Sequence, residues 1–234
     1  MDRQGLVPAA GRGTRLRPLT DDRPKALVEV GERPLVEHVL ETLAPHVDGY
    51  VVVIGYRGEA LRDAVGGTYA GKPVTYVEQP DARGLADAVH RAESVVDEPF
   101  LQLNGDNVLR GNVGEVVSAH HETDADATLL IEEVSPERAR RGGVLEFEAS
   151  EVVDLVEKPK DPPSRVATTG CFAFSPRVFE ACRAIGRSGR GEFELPDAIR
   201  WLLERGGTVE TVRLDGWRVN VNAPADIERA EAQL

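Results

Sequence analysis

Glycines and basic residues are concentrated between positions 11 and 25 of this 234-residue chain. Gly11 and Gly13 follow a short apolar run, where glycines allow backbone N–H groups to close around an anion. Residues 12–25 include five basic and two acidic residues, a local charge of +3 in a chain whose formal net charge is −12. The segment lacks the Gly-Lys-Ser/Thr ending of a Walker A loop and the third glycine of a dinucleotide-binding fingerprint. We therefore predict a phosphate-binding loop of a different kind, with a solvated basic turn as the alternative.

A carboxylate, Asp106, follows another apolar run at residues 100–104. Carboxylate oxygens are ligands that Mg²⁺ prefers in proteins. In open α/β sheets, ligands collect at the carboxyl ends of the strands. Asp106 and the glycine-rich loop both follow predicted strands, so we expect them to lie at the same edge of the sheet.

Apolar runs that alternate with helical patterns predict βαβ units and a largely parallel sheet in the first half. The predicted strands there are 5–9, 50–54, 74–77 and 100–104, and the predicted helices are 35–43, 59–65 and 85–96. The second half is more mixed, with predicted strands at 144–147, 152–156, 168–174 and 208–214, and helices at 176–185, 195–205 and from 224. Without repeats or a linker, the pattern predicts one domain over residues 1–234, with a nucleotide-binding half at about 1–110.

The charge balance argues against some classes of partner. There are 28 Lys and Arg residues against 40 Asp and Glu residues, whereas a general nucleic-acid binder needs a basic face. No run of 18 apolar residues could span a membrane, and the N-terminal apolar stretch is too short for a secretory signal. We therefore expect a cytoplasmic protein that binds neither nucleic acid nor membrane.

Two further compositional features narrow the setting. Cys171 and Cys182 are eleven residues apart, with no metal-ligand spacing around them, and are expected to be free buried thiols. The chain has only four lysines, Lys25, Lys72, Lys158 and Lys160. An acidic, lysine-poor surface suits a high-salt cytoplasm. Halophilic origin and plain compositional bias both remain open.

Several short blocks of sequence carry a resemblance to a known family. Ala10 to Arg15 and Pro24 to Leu27 resemble the G-x-G-T-R…P-K signature of the sugar-1-phosphate nucleotidylyltransferases. Further blocks follow in that family's order: Gln79-Pro80 with Gly84-Leu85-Ala86, Asn104-Gly105-Asp106-Asn107, Glu157-Lys158-Pro159 with Thr169-Gly170, and Gly191-Glu192-Phe193-Glu194 with Pro196-Asp197. The blocks extend from residue 6 to about residue 226. The resemblance therefore leaves no room for the appended β-helix acyltransferase domain of longer relatives.

The resemblance implies both a fold and a reaction. The fold is a Rossmann-like three-layer α/β/α sandwich with a mixed central sheet, the nucleotide-diphospho-sugar transferase fold, with a sugar-binding half at about 111–234. The reaction converts UTP or dTTP and a hexose-1-phosphate, such as glucose-1-phosphate, to nucleotide-sugar and pyrophosphate with Mg²⁺. It needs positioning and charge stabilisation rather than a protein nucleophile. Assembly into a homo-oligomer remains open.

The resemblance also implies roles for individual residues. Arg15 and Lys25 would be the catalytic cations. The nucleotide would contact Ala10, Gly11, Gly13, Thr14, Gln79 and Gly84. Gln79 would offer one donor and one acceptor to a pyrimidine edge. The sugar phosphate would contact Gly143, Glu157, Lys158, Thr169 and Gly170. The metal would be held by Asp106 and Asn220.

The sequence departs from the family pattern at two places. Where the family usually has W-x-D-x-G-T, the chain reads Trp217-Arg218-Val219-Asn220-Val221-Asn222-Ala223. An amide oxygen at Asn220 can ligate Mg²⁺ with lower affinity than a carboxylate, or the residue can simply shape a turn. Gly142 stands before Gly143 where an aromatic residue is usual, which leaves the sugar open. Uracil and thymine differ by one methyl group, worth roughly 1–3 kcal/mol of discrimination, so the base is open too.

Two other functions compete with this interpretation. Nucleotide-sugar-dependent glycosyltransferases centre on a D-x-D metal motif, and Asp124-Ala125-Asp126 has these letters. A non-catalytic regulatory subunit of similar fold would be expected to lose its catalytic cations and its metal acid. Retention of Arg15, Lys25 and Asp106 argues against both alternatives.

Overall fold

A computed structural model describes residues 3–234, which fold around a mixed β-sheet. The strands are β1 (Gln4–Pro8), β2 (Glu29–Val30), β3 (Arg33–Pro34), β4 (Gly49–Ile54), β5 (Thr68–Tyr69), β6 (Lys72–Glu78), β7 (Phe100–Leu103), β8 (Asn107–Gly111), β9 (Ala127–Glu133), β10 (Gly143–Glu148), β11 (Glu151–Glu157), β12 (Val166–Phe174), β13 (Val209–Arg213) and β14 (Gly216–Asn220). The helices are α1 (Leu35–Leu43), α2 (Gly58–Val65), α3 (Leu85–Arg91), α4 (Val113–Thr123), α5 (Pro136–Ala139), α6 (Arg177–Ala184), α7 (Leu195–Leu203) and α8 (Pro224–Glu231). Short 3-10 turns cover Thr14–Leu16, Lys25–Leu27, Ala44–His46 and Ala92–Ser94.

The sheet combines parallel and antiparallel strands. Its order is β11-β10-β12-β7-β1-β4-β6-β5, and β9 pairs with both β12 and β13. Strands β7, β1, β4 and β6 run parallel to one another. Strand β12 is antiparallel to β7, β9 and β10. The parallel half predicted from the βαβ pattern and the mixed sheet implied by the family resemblance are therefore both confirmed.

Helices cover both faces of this sheet. Side chains of a strand alternate between faces: in β4, Val51 and Val53 pack in one core cluster, and Val52 and Ile54 pack in another. The first cluster is covered by helices α3, α6 and α7, and the second by α1, α2 and α4. The fold is therefore the three-layer α/β/α sandwich that was expected.

A separate two-stranded ribbon lies beside the main sheet and was not predicted from the sequence. Strand β8 pairs antiparallel with β14, and Asn107 is opposite Asn220. Val108 and Val219 pack in a small core cluster with Ala230 of α8. The ribbon brings together two segments that are more than a hundred residues apart along the chain.

The sequence predictions differ from the structure mainly at the ends of elements. The helix predicted over 85–96 ends at Arg91 and continues as a 3-10 turn, and the strand predicted over 100–104 ends at Leu103. Cys171 and Cys182 are free and buried, as expected. Within residues 3–234, no helix is long and apolar enough to cross a membrane.

Candidate functional site

A cavity of about 350 Å³ opens where the parallel strands end. From the first half of the chain it is lined by Pro8, Ala9, Ala10, Gly11, Lys25, Ala26, Gln79, Ala82, Gly84, Leu85, Ala88, Asn104, Gly105 and Asp106. From the second half it is lined by Glu157, Lys158, Glu192, Glu194, Leu195 and Pro196. These residues include eight of the predicted site residues. The cavity lies at the carboxyl ends of β1, β6 and β7, where open α/β sheets bind ligands.

The loop after β1 is folded so that it fixes the stem of Lys25. Gly13 has a φ of +65°, and a Cβ built there would come within 2.9 Å of the Lys25 Cβ. The Thr20 hydroxyl donates to the Gly13 carbonyl at 2.8 Å, and Leu16 is fully buried beneath the loop. A left-handed glycine is needed here because any side chain would push against the lysine.

Lys25 and Arg15 converge on the same acceptor. The Lys25 Nζ donates to Asp106 Oδ2 at 2.8 Å and to Asn222 Oδ1 at 2.9 Å. The Arg15 Nη2 donates to the same Asn222 oxygen at 2.8 Å. The side chain of Lys25 is 12% exposed and that of Asp106 is 25% exposed. Two cations that were predicted to act together are therefore held side by side at the cavity.

Asn222 is a site residue that sequence reasoning missed. It was treated only as a replacement for the glycine of the family pattern, although a second polar side chain two residues after Asn220 is a signal visible in the sequence. The backbone N–H groups of Asn222 and Ala223 both donate to Asp226 Oδ2 at 2.8 Å. The carboxylate of Asp226 thus fixes the start of α8 and, with it, the position of Asn222.

The β8–β14 ribbon places the two predicted metal ligands on neighbouring positions. The Val221 N–H donates to the Asp106 carbonyl at 2.8 Å, and Asn222 Nδ2 donates to Asn220 Oδ1 at 2.6 Å. Within residues 3–234, no group of three or more His, Cys, Asp and Glu residues could hold a metal. One carboxylate and one amide oxygen nevertheless fit a cation such as Mg²⁺, which keeps water and phosphate oxygens among its ligands.

Glu157 and Lys158 form the opposite side of the cavity, at the end of β11. The Lys158 Nζ lies 3.1 Å from Glu157 Oε1, and Arg190 Nη2 lies 3.6 Å from the same oxygen. Arg190 also pairs with Glu194 at 2.8 Å. Burial raises the pKa of Glu157 above the ordinary glutamate value, against the opposing effect of the Lys158 ammonium. Arg190 was not predicted as part of the site.

Gln79 and Gly84 form a third side, and the structure corrects the expected role of Gln79. Its Nε2 donates to the Gly84 carbonyl at 3.0 Å and to Asp87 Oδ2 at 2.8 Å. Both hydrogens of the amide nitrogen are thereby used within the protein, so the expectation of one free donor and one free acceptor is wrong for this conformation. Gly84 has a φ of +114°, and a Cβ there would lie 2.4 Å from the Phe193 carbonyl oxygen.

The remaining predicted residues lie at the rim of the cavity or behind its wall. Gly13, Thr14 and Arg15 stand next to Lys25 in the loop. Gly143 is opposite Glu157 in the β10–β11 pair, and a Cβ there would lie 3.5 Å from Glu157 Oε2.

Thr169 and Gly170 are packed behind the cavity wall. Thr169 is buried, and its hydroxyl donates to the Leu130 carbonyl at 2.9 Å. Its carbonyl accepts from Asn107 Nδ2 at 2.7 Å. A Cβ on Gly170 would lie 2.7 Å from Asn104 Nδ2, so this glycine allows the close approach of a residue that does line the cavity. The two residues have a supporting position, and their direct contact with a sugar phosphate stays a prediction.

The chain is similar to known proteins over nearly its whole length. The family model described as Nucleotidyl transferase matches residues 4–219. The chain is 41% identical to the UTP–glucose-1-phosphate uridylyltransferase AglF of Haloferax volcanii, over 99% of this chain and 96% of that protein. It is 36% identical to a glucose-1-phosphate thymidylyltransferase of Streptomyces griseus, over 92% of this chain and 61% of that longer protein. A crystal structure of UDP-glucose pyrophosphorylase complexed with UDP-glucose superposes with a TM-score of 0.89 at 25% identity, over 99% of this chain and 98% of that one.

Proposed function

The chain belongs to the nucleotidyl transferase family, and we propose that it transfers a nucleotidyl group from UTP or dTTP to glucose-1-phosphate. The products are the nucleotide-sugar and pyrophosphate. One observation carries the proposal: Lys25 and Arg15 share the oxygen of Asn222 directly beside Asp106, at the edge of a cavity that both halves of the chain line. That is an arrangement for holding a polyphosphate.

The reaction requires charge stabilisation more than covalent chemistry. A phosphate oxygen of the sugar phosphate attacks the α-phosphorus, and the bond from this phosphorus to the bridging oxygen of the β-phosphate breaks. The electron pair leaves with pyrophosphate. Lys25 and Arg15 would neutralise the charge that develops on the phosphate oxygens, and each charge-assisted contact of this kind is worth roughly 1.5–3 kcal/mol. The glycine-rich loop at Gly11 and Gly13 would present backbone N–H groups to the same phosphates.

Asp106 and Asn220 are the residues that would hold Mg²⁺. A bound Mg²⁺ supplies positive charge to the phosphate oxygens as a Lewis acid. In the structure the carboxylate of Asp106 is held by Lys25, and the amide oxygen of Asn220 is held by Asn222. Both ligand oxygens are thus fixed in position by the same residue set that anchors the cations.

The second half of the chain would bind the sugar phosphate. Glu157 offers carboxylate oxygens as acceptors for sugar hydroxyls. Lys158, whose side chain is 46% exposed, offers a cation to the phosphate. Gly143 lies directly opposite Glu157, so the chain is without a side chain at the point where a sugar ring would rest against β10.

The rival functions have less support from the geometry. The D-x-D letters of the glycosyltransferase alternative lie at the start of β9, and Asp126 is bonded to Arg177 Nη1 at 2.8 Å and to the Thr208 N–H at 3.1 Å. These contacts have the character of a structural ion pair. The regulatory-subunit alternative does not account for Lys25 and Arg15, which are held together at the cavity.

A matrix of substrates tests the proposal. The four common ribonucleoside triphosphates and dTTP are each combined with glucose-, galactose- and N-acetylglucosamine-1-phosphate in the presence of Mg²⁺. We expect nucleotide-sugar and pyrophosphate in equal amounts with UTP or dTTP and glucose-1-phosphate. The Lys25→Ala variant, checked for folding by its melting temperature, is the negative control. Absence of product from every pair would refute the proposal, and product with another sugar only would correct the substrate.

A further inference from the structure

The amide of Gln79 is held in one orientation by a buried carboxylate. Gln79 is 4% exposed and Asp87, on the first turn of α3, is 7% exposed. The Gln79 Nε2 lies 2.8 Å from Asp87 Oδ2 and 3.0 Å from the Gly84 carbonyl oxygen. Arg83 Nε and Arg91 Nε each lie 3.7 Å from an oxygen of Asp87. The carboxylate is therefore fixed from one side by two cations and contacts the amide with the other.

Chemistry decides which end of the amide faces these partners. The oxygen and nitrogen of a glutamine amide look alike in outline, and their assignment follows from the hydrogen-bond network. A carboxylate and a carbonyl are acceptors only. Both partners of Gln79 are of this kind, so only the nitrogen can face them. A flipped amide would place its oxygen against two other oxygens inside a buried site.

The consequence is an acceptor-only group at the cavity. Nε2 has two hydrogens, and the two contacts above use both. Oε1 has no hydrogen-bond donor among the residues that the structure describes, and Gln79 is one of the residues that line the cavity. The atom that Gln79 can present to a bound base is thus an oxygen.

We propose that Asp87 determines base specificity by holding Gln79 as an acceptor, so that the site selects a pyrimidine whose N3 carries hydrogen. Uracil and thymine have an N3–H donor, whereas cytosine has a bare N3 that is itself an acceptor. This inference rests on the proposed function, in which Gln79 faces the base. Asp87 is a positioning residue, because it acts on the nucleotide through Gln79.

The proposal accounts for selection of one class of pyrimidine without a choice inside it. UTP and dTTP present the same N3–H, and they differ in a methyl group at C5 that Gln79 does not need to contact. Cytosine would bring two acceptors together in a site with no free donor on Gln79. An unsatisfied or opposed buried acceptor of this kind corresponds to roughly ten- to a hundred-fold in affinity.

The test is the ratio of kcat/KM for UTP to kcat/KM for CTP. In Asp87→Ala, one Nε2 hydrogen becomes free, so the amide can turn a donor toward the base. We expect the UTP-to-CTP ratio to fall by about ten-fold or more, while the KM for glucose-1-phosphate stays the same. Asp87→Asn keeps an oxygen that can accept from Gln79, and it should restore a large part of the ratio. Arg91→Gln removes a neighbouring charge without touching the amide contact, and it should leave the ratio unchanged.

A coupled variant separates positioning from a general structural effect. When Gln79 is already alanine, the Asp87→Ala substitution should no longer change the ratio, since interacting residues give non-additive effects. A ratio that is equal in the parent chain and in Asp87→Ala would overturn the inference, and so would the same change in both backgrounds. Failure of the proposed function would look different, because the parent chain would then form no nucleotide-sugar with any triphosphate.

Discussion

Replacing Asn222 by alanine removes the acceptor that Arg15 and Lys25 share. Lys25 keeps its contact with Asp106 Oδ2 at 2.8 Å. Arg15 loses its contact with Asn222, and within residues 3–234 it has no other hydrogen-bonded partner. The variant therefore leaves one cation anchored and frees the other. We expect catalysis to fall because Arg15 must be ordered again in each transition state.

The size of the effect follows from that one lost anchor. A hydrogen bond to a charged group contributes about 1.5–3 kcal/mol. Arg15 lies in an exposed loop, where water screens and partly replaces the interaction, so the lower end applies. A loss of about 1.4 kcal/mol is a factor of about ten in rate. We therefore expect kcat to fall about ten-fold, with a much smaller change in the KM for either substrate.

The assay is steady-state pyrophosphate release at saturating substrates, with melting temperatures measured in parallel. Asn112→Ala is the matched control: that amide is bonded to Glu115, to the Arg213 carbonyl and to the Asp215 N–H, and it does not line the cavity. Both variants lose an amide with hydrogen bonds at each end, so their losses of stability should be similar. The reasoning is refuted if Asn222→Ala turns over at the parental rate, or if Asn112→Ala is slowed to the same extent.

Further predictions concern the metal, the pH profile and the two buried thiols. Asn220→Ala should raise the Mg²⁺ concentration needed for half-maximal rate several-fold because one oxygen ligand is lost, and an unchanged titration would remove Asn220 from the metal site. Burial raises the pKa of Glu157 above the ordinary 4.5. As the pH falls through that raised pKa, the carboxylate takes up a proton and loses acceptor capacity, so the KM for glucose-1-phosphate should rise. Glu157→Gln should remove this part of the profile and keep the part due to the substrate's own phosphate, and an identical profile in both proteins would contradict the role. Burial raises the pKa of Cys171 and of Cys182 to about 12. Neither thiol should react with a disulfide reagent at pH 8 until the protein is unfolded, and rapid labelling of the native protein would show that they are accessible.

The main sheet was predictable because its strands carry local signals. The run Tyr50–Ile54 is apolar throughout, and all of its side chains are buried between helical layers. The site loop was predictable for a similar reason, since the glycines and basic residues that form it lie within a short stretch. The family resemblance added the second half of the cavity, where Glu157 and Lys158 are far from Lys25 in sequence.

The β8–β14 ribbon could not be predicted in the same way. Asn107–Gly111 and Gly216–Asn220 are short, each includes a glycine and an arginine, and neither shows a clear apolar alternation. They become strands by pairing with each other across more than a hundred residues. Asn222 was missed for the same physical reason, because its role depends on the ribbon that carries it back to Lys25.

The same limit applies to Gln79 and Asp87. A sequence shows that both residues can form hydrogen bonds, but not which atoms they use. The contact of Gln79 with Asp87 follows from the packing of α3 against the end of β6, and it changes Gln79 from a donor and acceptor into an acceptor. The side chains of a binding site are thus easier to predict from sequence than the atoms they present.

The most direct test of the central claim follows the α-phosphate of the nucleotide. UTP labelled at the α-phosphorus is incubated with Mg²⁺ and with glucose-1-phosphate, and the label is traced in the parent chain and in Lys25→Ala with a matched melting temperature. We predict that the label passes into UDP-glucose, that none stays on the protein, and that the transfer is lost in the variant. Label that appears only as UMP or UDP, or transfer that is unaffected by Lys25→Ala, would contradict the account.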